Sequence, residues 1–515
     1  MENFLWNRGT YSMAINRTKH FKRAGLIAVA LVASAMFTPR LKAGEEPDAK
    51  NADKQHTLPV TSASAAARRY FENGMVQYEN HRWNFALEDW HQAVKLDPDF
   101  AQAHVWIAMT TVDPAEESKH RELAKASMEH ATPAEQLLVR WMAGIHENNY
   151  VAGIAAMNDL LAQYPQDKRL NFLCGYWLYK LDQYDLAEKL TQRALVEDPR
   201  YATAYNQMGY IYSRRGDYQK AIEAESKYVE LLPNEPNPHD SYGEMLRLSG
   251  RFEDALEQYH IALKIDPTFY ISQKELGETY AIMGDGEKAR EEYAKAIHEA
   301  PSDGLKAEYL QKAAMTYVRG RQYDEADKAY LDAAAKAHQM QQWVWEARAY
   351  RIMAMYETDA KAASANLEKA ESILAEKKGS VAQSDLDEEQ AHIWRVRVER
   401  AAAAHEFTLA GNALEKLDKM AQTGGSVSIE RTHDGAVGTL LVAEKKFAAA
   451  IPQLEDDFAN PLSMKQLLLA YQKDKHSRSQ AGKLEGKLRA WRIPSIEEAL
   501  VVPQMKEAGT EVSKK

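Results

Sequence analysis

The residues of this chain that could carry out chemistry are 16 histidines, one cysteine and 75 dispersed carboxylates. They form no catalytic signature, since the sequence contains no His-Glu-x-x-His, no Gly-x-x-x-x-Gly-Lys-Ser/Thr and no Gly-x-Ser-x-Gly. His120 and His130 have no third ligand at a spacing typical of metal sites. Cys174 lies at an inward-facing helix position, which favours a buried, apolar role over a reactive thiol. We therefore predict no enzyme activity, no cofactor and no metal site.

The charge balance narrows the class of partner. The chain has 65 basic and 75 acidic residues, and its net charge is −10. Nucleic-acid binding requires a basic face, so this composition disfavours it. A single cysteine excludes an intrachain disulfide, and the composition gives no evidence for or against an oxidising compartment. Proteins or peptides are the expected partners.

The N-terminal residues resemble a targeting segment. The uncharged run over positions 24–37 is too short to span a bilayer comfortably. A basic region before such a run is typical of a secretory signal, and cleavage is expected after Ala35 or Ala43. The alternative is an uncleaved N-terminal anchor, and translation could start at Met1 or Met13. The basic residues are Arg17, Lys19, Lys22 and Arg23.

The sequence therefore predicts an exported protein, periplasmic or secreted, with a signal or anchor over residues 1–43. Residues 44–66 are polar and alanine-rich, contain two prolines and show no helical period. Such a composition is typical of a disordered linker. A second disordered segment is expected at the C-terminus, over residues 501–515.

Three residue types recur with one 34-residue period through the middle of the chain. A fixed period of this length indicates stacked helix–turn–helix units. We therefore predict an all-α fold, a right-handed superhelical solenoid of antiparallel helix pairs. The recurring residues are Pro165, Pro199, Pro233, Pro267 and Pro301; Gly175, Gly209, Gly243 and Gly277; and Ala187, Ala221, Ala255 and Ala289.

The unit at 202–235 shows the pattern in full. Met208, Gly209 and Tyr212 share one helix face with Tyr205, because they follow it at the third, fourth and seventh positions. Gly216 is expected to end the first helix, since glycine accepts the left-handed conformation that follows many helices. Pro233 closes the second helix because it lacks a backbone donor.

These units resemble the tetratricopeptide repeat. That pattern has small residues at positions 8, 20 and 27, aromatic residues at 4, 11, 17 and 24, and proline at 32, so that two helices cross closely where the small side chains lie. The resemblance covers residues 67–340, which we predict as one repeat array. Residues 341–500 keep only the helix-pair pattern and are predicted to be divergent repeats of the same kind.

The resemblance implies a concave groove lined by positions 2, 5, 9 and 12 of the first helices. Aromatic side chains, asparagine and mixed charges suit an extended peptide there. The alternative is that these residues only pack against neighbouring first helices. The paired lysine and asparagine that hold a terminal carboxylate in some members of this family are absent from these positions. The predicted groove residues are Arg169, Phe172, Tyr176, Tyr179, Asn206, Tyr210, Asp240, Glu244, Arg247, Lys274 and Glu278.

Together these features predict an exported scaffold that binds partner peptide segments along its groove. Two alternatives belong to other classes. One is a helical-repeat subunit of an enzyme complex, in which His433 and Asp434 of the divergent region would be the residues to test. The other is a structural envelope protein that associates with itself, and the sequence does not determine the oligomeric state.

Overall fold

The computed structural model describes residues 57–512, except residues 81, 112, 148, 378, 380, 424 and 425. This part of the chain forms 25 α-helices and two short 3-10 turns, and no β-strand occurs in it. No helix within the described ranges combines the length and the apolar character needed to cross a bilayer. The predicted signal at 1–43 and residues 44–56 of the predicted linker lie outside the described residues.

The helices, numbered in chain order, are α1 (Ala65–Glu79), α2 (Trp83–Leu96), α3 (Ala101–Thr110), α4 (Pro114–Ala126), α5 (Pro133–His146), α6 (Tyr150–Gln163), α7 (Lys168–Lys180), α8 (Tyr184–Glu197), α9 (Ala202–Arg214), α10 (Tyr218–Leu231), α11 (Pro236–Ser249), α12 (Phe252–Ile265), α13 (Tyr270–Met283), α14 (Gly286–Glu299), α15 (Asp303–Arg319), α16 (Tyr323–Gln339), α17 (Trp343–Tyr356), α18 (Ala360–Glu376), α19 (Gln383–Ala403), α20 (Phe407–Thr423), α21 (Val427–Ala443), α22 (Phe447–Asp456), α23 (Pro461–Lys473), α24 (Ala481–Arg489) and α25 (Ile496–Val512).

The helix starts reproduce the sequence period. Four successive first helices begin at a constant interval that equals this period, at Lys168, Ala202, Pro236 and Tyr270. Their second helices keep the same spacing, beginning at Tyr184, Tyr218, Phe252 and Gly286. The predicted all-α solenoid of helix pairs is therefore confirmed.

Glycine ends the first helices as predicted. Gly216 has φ 78°, a left-handed value that costs other residues strain but not glycine. The backbone turns there because Asp217 N–H donates to Tyr212 O at 2.9 Å. The same role falls to Gly250 and Gly284, which occupy the equivalent positions of the next two units.

The two helices of a repeat approach most closely where a small residue faces a large one. A Cβ atom placed on Gly277 of α13 would lie 2.8 Å from the ring of Tyr293 on α14, closer than real Cβ atoms come. Tyr293 is fully buried at this crossing. Gly74 and Trp90 form the equivalent contact between α1 and α2. Position 8 therefore has to be small, because the side chain at position 24 occupies the space above it.

The described residues form two compact units, residues 57–245 and residues 246–512. Unit 1 has a long apolar core that contains the fully buried Trp90 and Trp141. Unit 2 is built on successive smaller clusters, as expected where each repeat packs on its neighbours. The division falls inside the segment 67–340. The boundary at residue 340 rests on repeat pattern rather than compactness, and it stays a prediction.

The C-terminal part of the predicted linker differs from the expectation. Residues 58–63, which we call the N-terminal strap, have no regular secondary structure and are bound to unit 1. Carboxylates accept hydrogen bonds from the backbone N–H groups of the strap. These bonds compensate the free-energy cost of ordering a polar segment that was expected to be disordered. The N–H groups of Leu58, Thr61 and Ala63 donate to Asp167 at 2.7 Å, Glu135 at 2.7 Å and Asp97 at 2.8 Å, respectively.

The predicted disordered tail also differs. Helix α25 continues through most of residues 501–515. Val501 and Val502 are fully buried against Met464 and Leu488 in unit 2. Burial of these two apolar side chains stabilises a tail that was expected to be disordered.

Replacing Gly277 with leucine tests the crossing. We expect Gly277→Leu to lower the free energy of unfolding of unit 2 by about 1–3 kcal/mol, because the added atoms collide with Tyr293. Gly411→Ala is the matched control, since Gly411 is exposed on α20 and faces open space. It should be neutral or gain up to about 1 kcal/mol from helix propensity. Denaturant unfolding measures both, and equal stability of the two variants would contradict the assigned contact.

Candidate functional site: the first-helix faces

The predicted groove residues occur on the first helices α7, α9, α11 and α13, and each unit is considered by itself. We call the two sets the unit-1 face and the unit-2 face. The unit-1 face comprises Arg169, Phe172, Tyr176, Tyr179, Asn206, Tyr210, Asp240 and Glu244. The unit-2 face comprises Arg247, Lys274 and Glu278.

Two aromatic residues of the unit-1 face belong to the packed interior. Phe172 and Tyr179 are only 7% and 6% exposed. The ring of Phe172 packs edge-on against Tyr201, with centroids 5.4 Å apart. Arg214 Nε donates to the hydroxyl of Tyr179 at 3.2 Å. For these two residues the packing alternative replaces the predicted peptide contact, because a partner could reach them only if the repeats moved apart.

Helix α1 covers the N-terminal end of the unit-1 face. Arg169 Nε lies 2.7 Å from Glu79 Oε1, and its Nη1 lies 3.0 Å from Glu72 Oε2. Tyr78 of the same helix packs against the cluster that contains Phe172 and Tyr201. Arg169 is therefore engaged within the chain, and its charge holds α1 in place.

The rest of the unit-1 face combines tyrosine with acid. Tyr176 and Tyr210 are half-buried, and Lys180 Nζ lies 5.7 Å from the ring centroid of Tyr176. The hydroxyl of Tyr210 donates to Glu244 Oε2 at 2.8 Å. Asn206 and Asp240 are buried beside them at 3% and 2% exposure. Tyr176, Tyr210, Glu244 and the ion-paired Arg169 are the predicted residues of this face that keep accessible surface.

A buried acid that the sequence analysis missed lies next to this face. Glu225 of α10 is fully buried beneath Gly209, and neither carboxyl oxygen has a hydrogen-bond partner among the described residues. Burial, and then the nearby carboxylates Glu244 and Asp240, raise the pKa of Glu225 well above its usual value. The neutral, protonated form of this side chain is therefore favoured in the folded protein.

The position of Glu225 within the repeat indicates that it is buried. It occupies position 24, where the other units place Trp90, Tyr259 and Tyr293. An acid at a position that packs against the glycine of a helix crossing has no surface to reach. Its burial could have been predicted from the register alone.

The unit-2 face is a buried ion network. Arg247 Nη2 lies 2.8 Å from Glu275 and 3.4 Å from Glu278. Lys312 Nζ and Lys274 Nζ lie 2.8 Å and 3.7 Å from Glu278. The structure thus brings together the three predicted residues and adds Glu275 and Lys312, which the position rule for grooves omits.

The members of this network remain charged. Burial raises the pKa of Glu278, but Lys274, Lys312 and Arg247 outweigh that effect and hold it well below its usual value. Burial lowers the pKa of Lys274, and Glu275 and Glu278 reverse this shift. Removing one partner would leave an uncompensated buried charge, which is strongly destabilising.

A segment of the same unit is bound to the unit-2 face. We call residues 492–499 the C-terminal segment. Arg247 Nη1 donates to the backbone carbonyl of Arg492 at 2.8 Å. Arg319 forms an ion pair with Glu498, whose side chain is 1% exposed. Ile496 and Ala499 pack in one apolar cluster with residues of α15. The face itself therefore binds the segment through one main-chain carbonyl, and α15 binds its carboxylate and two apolar side chains.

The remaining candidates from the sequence have structural surroundings. Cys174 is fully buried in the unit-1 core, and burial raises its pKa well above the usual value, so the predicted apolar role is confirmed. His433 lies between two acids, with Nδ1 3.1 Å from Asp434 and Nε2 3.4 Å from Asp418. Both ring nitrogens face carboxylates. The ring of a general base would instead face a nucleophile.

Helix pairs with a constant spacing and a small-to-large crossing define a helical-repeat protein. Two segments match family models described as tetratricopeptide repeat, at residues 190–223 and 247–304. Both matched segments lie within the array predicted over residues 67–340. The chain therefore contains tetratricopeptide repeats in these segments.

Curated relatives match part of the chain. Human protein O-mannosyl-transferase TMTC1 is 27% identical over 217 residues, which is 41% of this chain and 25% of that protein. Mouse superkiller complex protein 3 is 25% identical over 149 residues, 29% of this chain and 9% of that protein. The chain thus spans a quarter or less of the length of these relatives.

Solved structures of similar fold match about a third of the chain. A thermophilic TPR protein of Thermus thermophilus is 23% identical, with a TM-score of 0.29, and covers 35% of this chain and 96% of its own. PilW, a type IV pilus biogenesis factor, is 19% identical, with a TM-score of 0.32, and covers 41% of this chain and 92% of its own.

Replacing Glu225 with glutamine tests the buried acid. Because the folded-state pKa is raised, wild-type stability should fall as pH rises from about 4.5 towards that pKa. Glu225→Gln removes this loss, so the variant should be more stable at pH 8 by about 1–3 kcal/mol, the scale of an unsatisfied buried group. The gain should vanish near pH 4.5, and thermal unfolding across pH measures it.

Glu223→Gln is the control, since Glu223 is exposed on the same helix. A pH-independent difference between wild type and Glu225→Gln would contradict a protonated Glu225.

Proposed function

We propose that this protein is a non-catalytic scaffold that binds extended segments of partner proteins on its first-helix faces. The observation that carries the proposal is the C-terminal segment on the unit-2 face. Tetratricopeptide arrays in general bind other proteins. Here the chain itself supplies an example of a bound segment.

The contacts of the C-terminal segment define what the unit-2 face and helix α15 would recognise together. Arg247 donates to a main-chain carbonyl, a contact that any residue type can make. Arg319 requires a carboxylate six residues further on, where Glu498 lies. Ile496 and Ala499 fill the apolar surface between and beyond these polar contacts. A partner segment for this face therefore carries small or branched apolar residues next to an acid.

The unit-1 face suits a different ligand. Its accessible residues include Tyr176, Tyr210 and Glu244, the charge of Arg169 is paired with Glu72 and Glu79, and the buried Asp240 adds negative potential. Tyrosine rings and carboxylates together favour lysine or arginine side chains. The two faces would thus allow one scaffold to hold two segments of opposite charge.

The similarity to an O-mannosyl-transferase does not change this proposal. The match covers 25% of that protein. We propose that the helical repeats account for the shared part, because helix pairs make up most of the described chain. A role beside an enzyme remains compatible with a scaffold whose own repeats do no chemistry.

We also propose that the protein is exported. The support is the basic stretch that ends at Arg23, followed by the uncharged run 24–37. The scaffold would then act outside the compartment in which it is made, in a periplasm or in the secreted fraction.

A competition between the chain and its own peptide tests segment binding. A fluorescent peptide of residues 490–503 (AWRIPSIEEALVVP) is titrated with full-length protein. Glu498→Lys faces Arg319 with a like charge, so it should release the C-terminal segment and free the face. The peptide should then bind this variant at least about tenfold more tightly than wild type, as measured by polarisation.

Two controls accompany the titration. Glu485→Lys makes the same charge change in a surface pair with Arg489 and should behave as wild type. A peptide with lysine in place of Glu498 should bind neither protein. Equal binding of the natural peptide to wild type and Glu498→Lys, or no binding to either, would contradict the proposal.

Export is tested by fusing residues 1–56 to a reporter enzyme that folds only outside the cytoplasm. Leu31→Arg places a charge in the uncharged run and should abolish reporter activity. Leu41→Arg, beyond the run, is the matched control and should retain it. N-terminal sequencing of the exported product would distinguish cleavage after Ala35, cleavage after Ala43 and an intact anchor. Reporter activity unaffected by Leu31→Arg would argue against export by this segment.

A further inference from the structure

Three potential metal ligands meet near the N-terminal end of unit 1. His91 Nε2 of α2 lies 3.1 Å from Glu116 Oε1 of α4. One donor atom each from His91, Glu116 and His120 lie within 4.8 Å of one another. Two ligand atoms at about 2.0–2.2 Å from a tetrahedral ion are about 3.3 Å apart. The spacing of His91 and Glu116 is therefore close to that of two ligands of one ion, and the ligand atom of His120 lies within 4.8 Å of both.

Two of these ligands come from one helix face. Glu116 and His120 are four residues apart on α4, so their side chains lie one above the other. His91 completes the set from α2. His130 is an exposed residue near Asp99 and Glu129 and lies outside this set. Sequence spacing indicated no third ligand for His120, because His91 comes from a different helix.

A hydrogen-bond chain fixes the orientation of His120. His104 Nε2 lies 2.9 Å from the carbonyl of Pro98, which can only accept, so this nitrogen carries the proton. A neutral His104 then accepts at Nδ1, which lies 2.8 Å from Nδ1 of His120. His120 consequently donates from Nδ1 and keeps a lone pair on Nε2. Metal-binding histidines typically donate their second ring N–H in this way.

The carboxylate is oriented as well. Glu116 Oε2 accepts from the hydroxyl of Thr111, and Oε1 faces His91. Both supporting groups, His104 and Thr111, come from the segment between α2 and α4. Each of two ligands is thus held by an outer hydrogen bond before any ion binds, which limits the ordering that binding must add.

We propose that His91, Glu116 and His120 bind a divalent transition-metal ion, with Zn²⁺ the ion of choice, and that His104 is a positioning residue in its outer shell. Two imidazoles and a carboxylate are a donor set that zinc accepts, and they leave a fourth position for water. The ion would join α2 to α4 around α3. It would therefore stabilise the first repeats of the array.

Zinc titration of the full-length chain, purified without a histidine tag and stripped with chelator, tests the proposal. Competition with a chromophoric chelator should show one tight equivalent of Zn²⁺. His91→Ala and Glu116→Gln should each weaken that equivalent at least about tenfold. Zinc should raise the Tm of wild type and leave the Tm of both variants nearly unchanged.

Matched controls keep the result interpretable. His130→Ala and Glu122→Gln alter an exposed histidine and an exposed α4 acid outside the cluster, and both should bind zinc as wild type does. Circular dichroism in zinc-free buffer checks that each variant folds, and Co²⁺ absorption gives a second readout of the same ligands. No tight equivalent in wild type, or binding that is equal in ligand and control variants, would overturn the site.

Discussion

The contact between a glycine backbone and the large side chain at position 24 determines how each repeat is built. Gly277 can approach α14 only because it has no side chain, and Tyr293 fills the space that results. This close approach fixes the crossing of the two helices and hence the rotation of the first helix about its axis. Positions 5 and 9 then point to one side, where Lys274 and Glu278 join the ion network.

Unit 1 departs from this rule at Glu225. An acid stands where other repeats have an aromatic residue, so the crossing beneath Gly209 loses its apolar character. Burial and the nearby charges of Glu244 and Asp240 raise the pKa of this carboxyl, so its neutral form is favoured. Core composition and face chemistry are therefore coupled at this repeat. A change of one residue in the interior would alter the potential that a ligand meets.

Local rules predicted the helices and failed for contacts between distant segments. Gly216 and Pro233 act on their own neighbours, so their roles followed directly from the sequence. The packing of Phe172 depends on Tyr201 and on the much earlier helix α1, which the repeat pattern does not reveal. Arg247 meets a carbonyl 245 residues away. Position rules identify which side of a helix is available, but they cannot say which part of the chain already occupies it.

The N-terminal strap changes how unit 1 can deform. In a solenoid held only by contacts between adjacent repeats, the repeats can separate one at a time. The strap joins Leu58 to Asp167, 109 residues along the chain, and joins Thr61 to Glu135 on the way. Stretching the first repeats apart would break these bonds together. Unit 1 should therefore resist extension as a stiff block, and mechanical load would fall on repeats that no strap crosses.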